Sequence, residues 1–112
     1  MERTNLGEFE EVVLLTVAVL GDDAYGISIR EDMLERLGRE VSMGALRTAL
    51  KRLESKGYLD SEFGEPTAVR GGKRKRYYRI TSAGRQAAEN AMDARKRLWN
   101  AIPHTSLDFK FI

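Results

Sequence analysis

The stretch from Ser42 to Leu59 carries the side chains with the clearest chemistry in this sequence. At the 100° step of an α-helix, one arc of the stretch is apolar and the opposite arc presents cations, hydroxyl groups and little bulk. The apolar arc comprises Leu46, Ala49, Leu50 and Leu53, and the opposite arc comprises Gly44, Arg47, Thr48, Lys51, Arg52 and Ser55. A major groove roughly 12 Å wide admits such a helix, because Arg and Lys reach guanine edges and Thr touches a thymine methyl group or a phosphate. This pattern predicts a DNA-recognition helix.

Cap residues predict where this helix begins and ends. Ser42 can accept a hydrogen bond from an unpaired amide of the first turn, and Gly57 stands where a left-handed C-terminal cap is needed. The helix is therefore predicted from about Met43 to Lys56. The alternative is a solvated amphipathic helix, since basic faces are common on surface helices.

A basic hairpin is predicted directly after the helix. Tyr58 to Phe63 is predicted as one strand, Gly64 to Thr67 as a turn and Arg74 to Ile80 as a second strand, with Gly71-Gly72 between them. Six cations and no acid lie along its second half: Arg70, Lys73, Arg74, Lys75, Arg76 and Arg79. This density suits a segment that lies along a phosphate backbone. A helix followed by a basic hairpin is typical of a winged helix.

Composition limits the classes to which the chain can belong. Its 112 residues suffice for one domain with a modest core, which a second subunit can complete. The net charge is only +2, but residues 1–40 carry 4 Lys and Arg against 10 Asp and Glu, whereas residues 41–112 carry 15 against 7. This asymmetry points to nucleic acid. Without cysteine there is no disulfide framework or Cys-based zinc site, and His104 alone cannot anchor a metal.

Signals for catalysis and for membrane insertion are missing from the sequence. The segment Gly71-Gly72-Lys73 is not a P-loop, because the first glycine at the required spacing and the following Ser or Thr are absent. No group of residues supports catalysis, so neither an enzyme nor a cofactor is expected. Residues 1–5 lack a basic run before an apolar core, and Val12 to Leu20 is too short to span a bilayer. We expect a cytoplasmic protein.

A buried first helix is predicted over residues 6–20. Asn5 followed by Glu8 predicts its N-terminal cap. From Val12 to Leu20 every residue except Thr16 is apolar, so the helix has to be covered on more than one side. In a chain this short, the second cover is expected from a second subunit. The β-branched residues leave a buried strand as the alternative.

A second, supporting helix is predicted to begin with Asp23 as its cap and to stop at Gly38. It is predicted to run through the apolar residues Ile27, Met33, Leu34 and Leu37. Tyr25, near its start, either donates a hydrogen bond to a phosphate or packs with its hydroxyl in water. After this helix, Val41 is predicted to pair with the hairpin as a third strand.

The last helix is predicted from Ser82 to Ile102, with Thr81 as its cap and Pro103 at its end. Its apolar residues form a narrow stripe near heptad spacing: Ala88, Ala91, Met92, Leu98, Trp99 and Ile102. A narrow stripe suits one partner helix. The tail over residues 103–112 has no clear pattern and is left unassigned.

Short motifs follow one another along most of the chain. They are Phe9-Glu10-Glu11, Val13-Leu14-Leu15, Tyr25-Gly26, Gly44-Ala45-Leu46, Leu50, Arg52-Leu53-Glu54, Gly57, Gly71-Gly72, Tyr77-Tyr78-Arg79-Ile80-Thr81 and Gly84-Arg85. In this order they resemble the PadR-type transcriptional regulators over about residues 6–102. Arg47 stands where relatives often carry Tyr, which affects the expected operator sequence and not the expected binding mode. Ile27 also stands where relatives often carry Tyr.

The resemblance implies an α+β, mostly helical fold. Residues 1–80 would form a winged helix-turn-helix DNA-binding domain, and residues 81–102 a C-terminal dimerisation helix that packs with the first helix. The implied function is that of a homodimeric transcriptional repressor on an inverted-repeat operator in double-stranded DNA, and the alternative is a winged-helix protein-interaction module. The predicted DNA contacts are Tyr25, Ser42, Met43, Gly44, Arg47, Thr48, Lys51, Arg52, Arg70, Lys73, Arg74 and Lys75.

Trp99, the only tryptophan, lies on the apolar stripe of the last helix. One interpretation is an ordinary interface anchor, a role in which Trp is over-represented. The other comes from the resemblance, because some small PadR relatives use the last helix to sense flat aromatic molecules. In that case Trp99 and its symmetry mate face a gap in which a planar hydrophobic effector stacks and releases the repressor from DNA.

Overall fold

The computed structural model describes residues 6–65 and 74–103. Helix α1 spans Glu8–Leu20, α2 Gly26–Leu37, α3 Met43–Ser55 and α4 Ser82–Ala101, and the strands are β1 Leu59–Phe63 and β2 Arg76–Ile80. The two strands form one antiparallel hairpin between α3 and α4. The predicted mostly helical α+β class with a helix followed by a hairpin is confirmed.

Helix α1 is a helix and not a strand, but its predicted N-terminal cap is wrong. The cap is Gly7, whose carbonyl accepts from the Glu11 amide at 2.9 Å, and Asn5 lies outside the described residues. No side chain caps the helix, but three acids lie in its first turn, where negative charge is favoured by the helix dipole. Val13 and Leu14 are fully buried, whereas 56% of Val19 is exposed. The helix thus has one covered side and one apolar side that faces outwards.

Helix α2 begins two residues later than predicted. Its cap is Tyr25, and the Ser28 hydroxyl accepts from the Tyr25 amide at 2.9 Å. Asp23 is not the cap, because it lies in a short 3-10 turn and its carbonyl accepts a hydrogen bond from Ser28. The helix ends at Gly38, which adopts the predicted left-handed conformation with φ 65°. Of the four apolar residues predicted on α2, only Met33 is buried.

Helix α3 has the bounds that its caps predict. The Ser42 hydroxyl accepts from the Ala45 amide at 3.1 Å, and Gly57 has φ 81° after the last turn. All four residues of the apolar arc are buried in one core with α1 and α2. Because this arc is buried, the position of α3 is set by packing and its opposite arc faces solvent.

The third strand predicted at Val41 is wrong. The segment that pairs with the hairpin is the start of α2, where Tyr25 forms a bridge to Tyr77 and the Ala24 carbonyl accepts from the Tyr78 amide at 2.8 Å. The Val41 carbonyl instead accepts from Arg30 Nε at 2.9 Å. Val41 therefore fixes the segment between α2 and α3 to α2. The residues before α2, and not Val41, contact the edge of the hairpin.

Helix α4 begins in the core and then leaves it. The Thr81 hydroxyl caps it by accepting from the Gly84 amide at 3.0 Å, as predicted. A Cβ at Gly84 would collide with the Tyr58 carbonyl, so only glycine permits this close approach to the hairpin. Ala87 and Ala88 are buried, whereas every residue from Met92 to Ala101 is exposed. The second half of α4 therefore extends away from the body of the chain.

Candidate nucleic-acid interface

The exposed arc of α3 has a central strip and two edges. Gly44, Thr48 and Lys51 lie in the centre, opposite the buried leucines, and all three are exposed. Arg47 lies on the edge nearer the hairpin. Arg52 lies on the other edge, where it lines a groove with Thr48 and the first residues of α1. If α3 lies in a groove of DNA with its central strip towards the bases, it has a cation on each side of that strip.

The first residues of α3 are tied to the protein itself. The Ser42 hydroxyl is used as the helix cap, and Met43 is half-buried against the core. A Cβ placed on Gly26 would lie 3.0 Å from the Met43 methyl carbon, so α2 and α3 approach each other closely at this point. Ser42 and Met43, both predicted to contact DNA, are therefore engaged within the protein. At Gly44, the next residue of α3, no other atom lies near the position of a Cβ.

Two cations stand exposed immediately before β2, at the end of the strand pair that is farther from α3 and α4. Arg74 and Lys75 precede the first residue of the strand. The Lys75 ammonium lies 4.3 Å from the centre of the Tyr25 ring, a distance suited to a cation–π interaction. Tyr25 also meets the edge of Tyr77, with ring centres 5.5 Å apart. The Tyr25 ring is therefore packed between the α2 start and the hairpin, next to a cation.

Within the part of the hairpin that the structure describes, Arg76 and Arg79 differ from Arg74 and Lys75 because each has an acidic partner. Arg76 lies 5.0 Å over the Phe63 ring, donates to the Ser61 hydroxyl at 2.9 Å and approaches the Glu54 carboxylate to 3.7 Å. Arg79 lies 3.9 Å from Glu62. These acids come from α3 and β1, and proximity along the chain alone does not reveal the pairing. Arg70 and Lys73 lie outside the described residues.

Acids that flank the exposed arc are paired. The Glu8 carboxylate accepts from Arg39 at 2.8 Å, and this hydrogen bond lowers the pKa of Glu8. Glu10 accepts from Lys56 at 2.6 Å. Both acids belong to the first turn of α1, beside the groove that Arg52 lines. Their charges are compensated locally, so the acidic start of α1 does not leave the α3 surface with uncompensated negative charge.

A second surface, made by α1 and α4, is apolar. Leu15 and Ala18 of α1 line a groove together with Ala88 and Met92 of α4. Farther along α4, Leu98 is 73% exposed. Trp99, the predicted effector-binding residue, is 65% exposed and lies in the half of α4 that extends beyond the body. The large apolar residues of the predicted stripe thus have little cover from the described part of their own chain.

One ion pair with a buried carboxylate joins α1 to α4. The Glu11 carboxylate is almost fully buried and accepts from Arg95 at 2.9 Å. Glu11 and Arg95 lie far apart in the chain, and no local pattern of the sequence indicates that they meet.

Within residues 6–65 and 74–103, no helix is long and apolar enough to cross a membrane. The same residues contain no group of three or more side chains suited to holding a metal ion.

A family model described as "Transcriptional regulator PadR-like family" matches residues 14–90. No curated protein sequence matches the chain significantly. A transcriptional regulator from Clostridium thermocellum is similar in structure with a TM-score of 0.65 at 25% identity, over 85% of this chain and 91% of that one. A PadR family regulator from Eggerthella lenta has a TM-score of 0.70 at 24% identity, over 92% and 88%. Bacillus subtilis PadR, solved in complex with operator DNA, has a TM-score of 0.65 at 19% identity, over 75% and 47%.

Proposed function

Because the chain belongs to the PadR-like family of transcriptional regulators, we propose that it binds an inverted-repeat operator as a homodimer and represses transcription. One observation carries the proposal. Helix α3 buries its leucine arc completely and turns Arg47, Thr48 and Lys51 outwards, beside a hairpin that presents Arg74 and Lys75 just before β2. The Bacillus subtilis relative solved with operator DNA supports DNA binding through the same fold.

The cations divide into two classes by position. Arg47 and Lys51 lie on the helix that would enter the major groove, so they read base edges. In the hairpin, which is the wing of the winged helix, the cations Arg70, Lys73, Arg74 and Lys75 hold phosphates. They set the register of the protein on the duplex. Tyr25 supports Lys75 with its ring and directs its hydroxyl to the same backbone. Residues 1–80 form the DNA-binding domain in this proposal.

The homodimer is supported by the apolar surface of α1 and α4. Leu15 of α1 and Met92, Leu98 and Trp99 of α4 are exposed large apolar residues on adjoining helices. A second copy would cover them, with residues 81–102 as the dimerisation helix. Two recognition helices related by a twofold axis then meet half-sites about one helical turn apart.

A binding experiment on DNA tests the regulatory function. Fragments flanking the gene of this protein are compared with random DNA of equal length, at several salt concentrations. We expect a preference for one inverted repeat of roughly a thousandfold or more. Weak binding with no preference would favour the alternative, a protein-interaction module that uses the same basic surface.

Sedimentation tests the dimer. Leu98→Glu places a charge on the proposed interface and should convert the dimer to a monomer. Leu34→Glu is the matched control, because Leu34 is 51% exposed but lies on α2, away from this surface. A wild-type protein that sediments as a monomer, or a Leu98→Glu variant that remains dimeric, contradicts the proposed interface.

We extend the proposal to a planar hydrophobic effector that stacks on Trp99 at the centre of the dimer. Such a compound would change operator affinity only by preferring one dimer geometry over another. Titration of planar dyes against tryptophan fluorescence tests this, with Trp99→Ala and displacement from DNA as further readouts. If no dye quenches Trp99 at concentrations of about 1 µM to 10 µM, Trp99 is an interface anchor only.

A further inference from the structure

Glu54 lies on the edge of α3 that faces the hairpin. It follows Arg47 by seven residues, which is about two helical turns, so both side chains project from the same edge. The Glu54 carboxylate accepts from the Ser61 hydroxyl of β1 at 2.8 Å. Ser61 in turn accepts from Arg76 Nε of β2 at 2.9 Å, and Arg76 Nη2 lies 3.7 Å from Glu54. One connected group therefore links the recognition helix to both strands.

The hydrogen-bonding capacity of Ser61 matches its place between the two charges. A hydroxyl has one proton to donate and lone pairs that accept. Here the hydroxyl donates its proton to Glu54 and accepts a proton from Arg76. Each of the two hydrogen bonds therefore involves a charged group, and such bonds are the stronger class. The Arg76 guanidinium is also held by the Phe63 ring at 5.0 Å. Directional contacts of this kind restrict orientation more than a loose ion pair does.

The other ion pair of the hairpin provides a contrast. Arg79 and Glu62 are 3.9 Å apart, and their side chains are 68% and 73% exposed. For Arg76 and Glu54 the exposed fractions are 46% and 36%. An exposed pair at long distance contributes little. The hairpin arginines therefore form two ion pairs with glutamates. The Arg76–Glu54 pair is fixed by further contacts, and the Arg79–Glu62 pair is not.

Charge alone does not explain why an acid lies at the edge of a DNA-facing helix. A free carboxylate beside Arg47 would repel phosphates, and like charges near an interface are costly. Arg76 neutralises Glu54, but it thereby withdraws one cation of the hairpin from DNA. The loss of this cation from the DNA-facing surface is offset if the link between α3 and the hairpin itself contributes to DNA binding.

We propose that Glu54, Ser61 and Arg76 form a brace that sets the orientation of the wing relative to the recognition helix. The inference rests on the proposed function. Arg74 and Lys75 directly precede Arg76, and at roughly 3.3 Å per residue they lie within about 7 Å of the brace along the chain. Holding Arg76 therefore holds both cations on phosphates while Arg47 is in the major groove. The three residues are positioning residues and do not touch DNA themselves.

Two matched pairs of variants test the brace by operator binding over a range of salt concentrations. Ser61→Ala removes the central hydroxyl without a change of charge, and Ser61→Thr retains it. Ser61→Ala should weaken operator binding roughly three- to tenfold, the range for a lost hydrogen bond, and lower the salt slope by about one phosphate contact. Ser61→Thr should restore both.

Glu54→Gln and Glu62→Gln each remove one negative charge from the same part of the molecule. Electrostatics alone would make both variants bind DNA more tightly. The brace predicts that Glu62→Gln tightens binding slightly and Glu54→Gln weakens it. Thermal unfolding of all four variants checks that none has lost its fold.

The outcomes separate the two proposals. A wild-type protein with no operator preference overturns the proposed function, and the brace with it. If the wild type binds its operator but Ser61→Ala matches it in affinity and salt slope, or Glu54→Gln tightens binding as Glu62→Gln does, only the brace is overturned.

Discussion

The two functional surfaces of this chain are built in opposite ways. At the α3–hairpin surface the leucine arc of α3 is buried, and several charged groups have partners from another element, as with Glu54, Arg76 and Lys75. At the α1–α4 surface the apolar side chains are exposed. The first surface is therefore complete within one chain and ready for a polar partner. The second leaves apolar side chains uncovered, which the proposed dimer would bury.

A pair of leucines shows what this difference teaches. Leu53 of α3 and Leu98 of α4 were both placed on helical apolar stripes by sequence, yet Leu53 is fully buried and Leu98 is 73% exposed. Periodicity identifies the face of a helix that needs cover. It does not say whether the cover comes from the same chain.

The largest expected effect tests this contrast directly. Leu53→Ala leaves a cavity in the core and should lower the free energy of unfolding by about 2–5 kcal/mol at any protein concentration. Leu98→Ala should instead weaken association, so its cost should change with protein concentration. Chemical denaturation at two concentrations about a hundredfold apart distinguishes them. Equal, concentration-independent losses would mean that both leucines serve the core of a monomer.

The next effect concerns the ion pair between Glu11 of α1 and Arg95 of α4, in which the carboxylate is buried. Arg95→Ala leaves the Glu11 carboxylate buried without its partner, which should cost about 1–3 kcal/mol of unfolding free energy. Arg85→Ala is the control on the same helix, since Arg85 and Glu89 are exposed and 4.0 Å apart. The control should change stability by less than about 0.5 kcal/mol. A similar result for both variants would place Glu11 in contact with water.

Two variants sharpen the contrast within the polar surface. Arg47→Ala should cost about 1–3 kcal/mol on the operator and relax one base position, because Arg47 is assigned to base edges. Lys75→Ala should weaken operator and random DNA alike and lower the salt slope by about one. Binding isotherms on both DNAs measure this. An equal loss on both DNAs for Arg47→Ala would move that residue to the phosphate class.

The smallest effect is a pH dependence at the start of α1. The Arg39 hydrogen bond lowers the pKa of Glu8 from its ordinary value of 4.5. A carboxylate with a lowered pKa contributes stability that is complete above the ordinary value and is lost as the pH falls through the lowered one. Glu8→Gln should therefore lower Tm slightly near neutral pH and match the wild type in strong acid. High salt should remove the difference, because the pair is exposed.

Local patterns were sufficient to predict most of the elements. The leucine arc of α3, the Ser42 and Thr81 caps and the glycines after α2 and α3 stand where they were expected. Each depends on residues within a few positions of one another, through helical periodicity or a single capping hydrogen bond. The family was recognisable from motifs of the same short range, and the match over residues 14–90 bears this out.

Contacts between distant segments could not be derived in this way. The hairpin is joined at Tyr25 and not at Val41, because the path of the chain between α1 and α2 brings the Ala24 carbonyl to the Tyr78 amide. In the sequence Arg76 is one cation in a row of several, but strand pairing places it opposite Phe63 and beside Ser61.

Sequence by itself determined which faces of this protein are apolar and which are basic, since those depend on residue type and on the period of a helix. Only the tertiary structure decided which charges remain free for DNA and which are used internally. A side chain on a two-stranded hairpin next to a helix can reach several partners of opposite charge. Which one it reaches depends on strand register and helix packing, and both are properties of the folded chain as a whole.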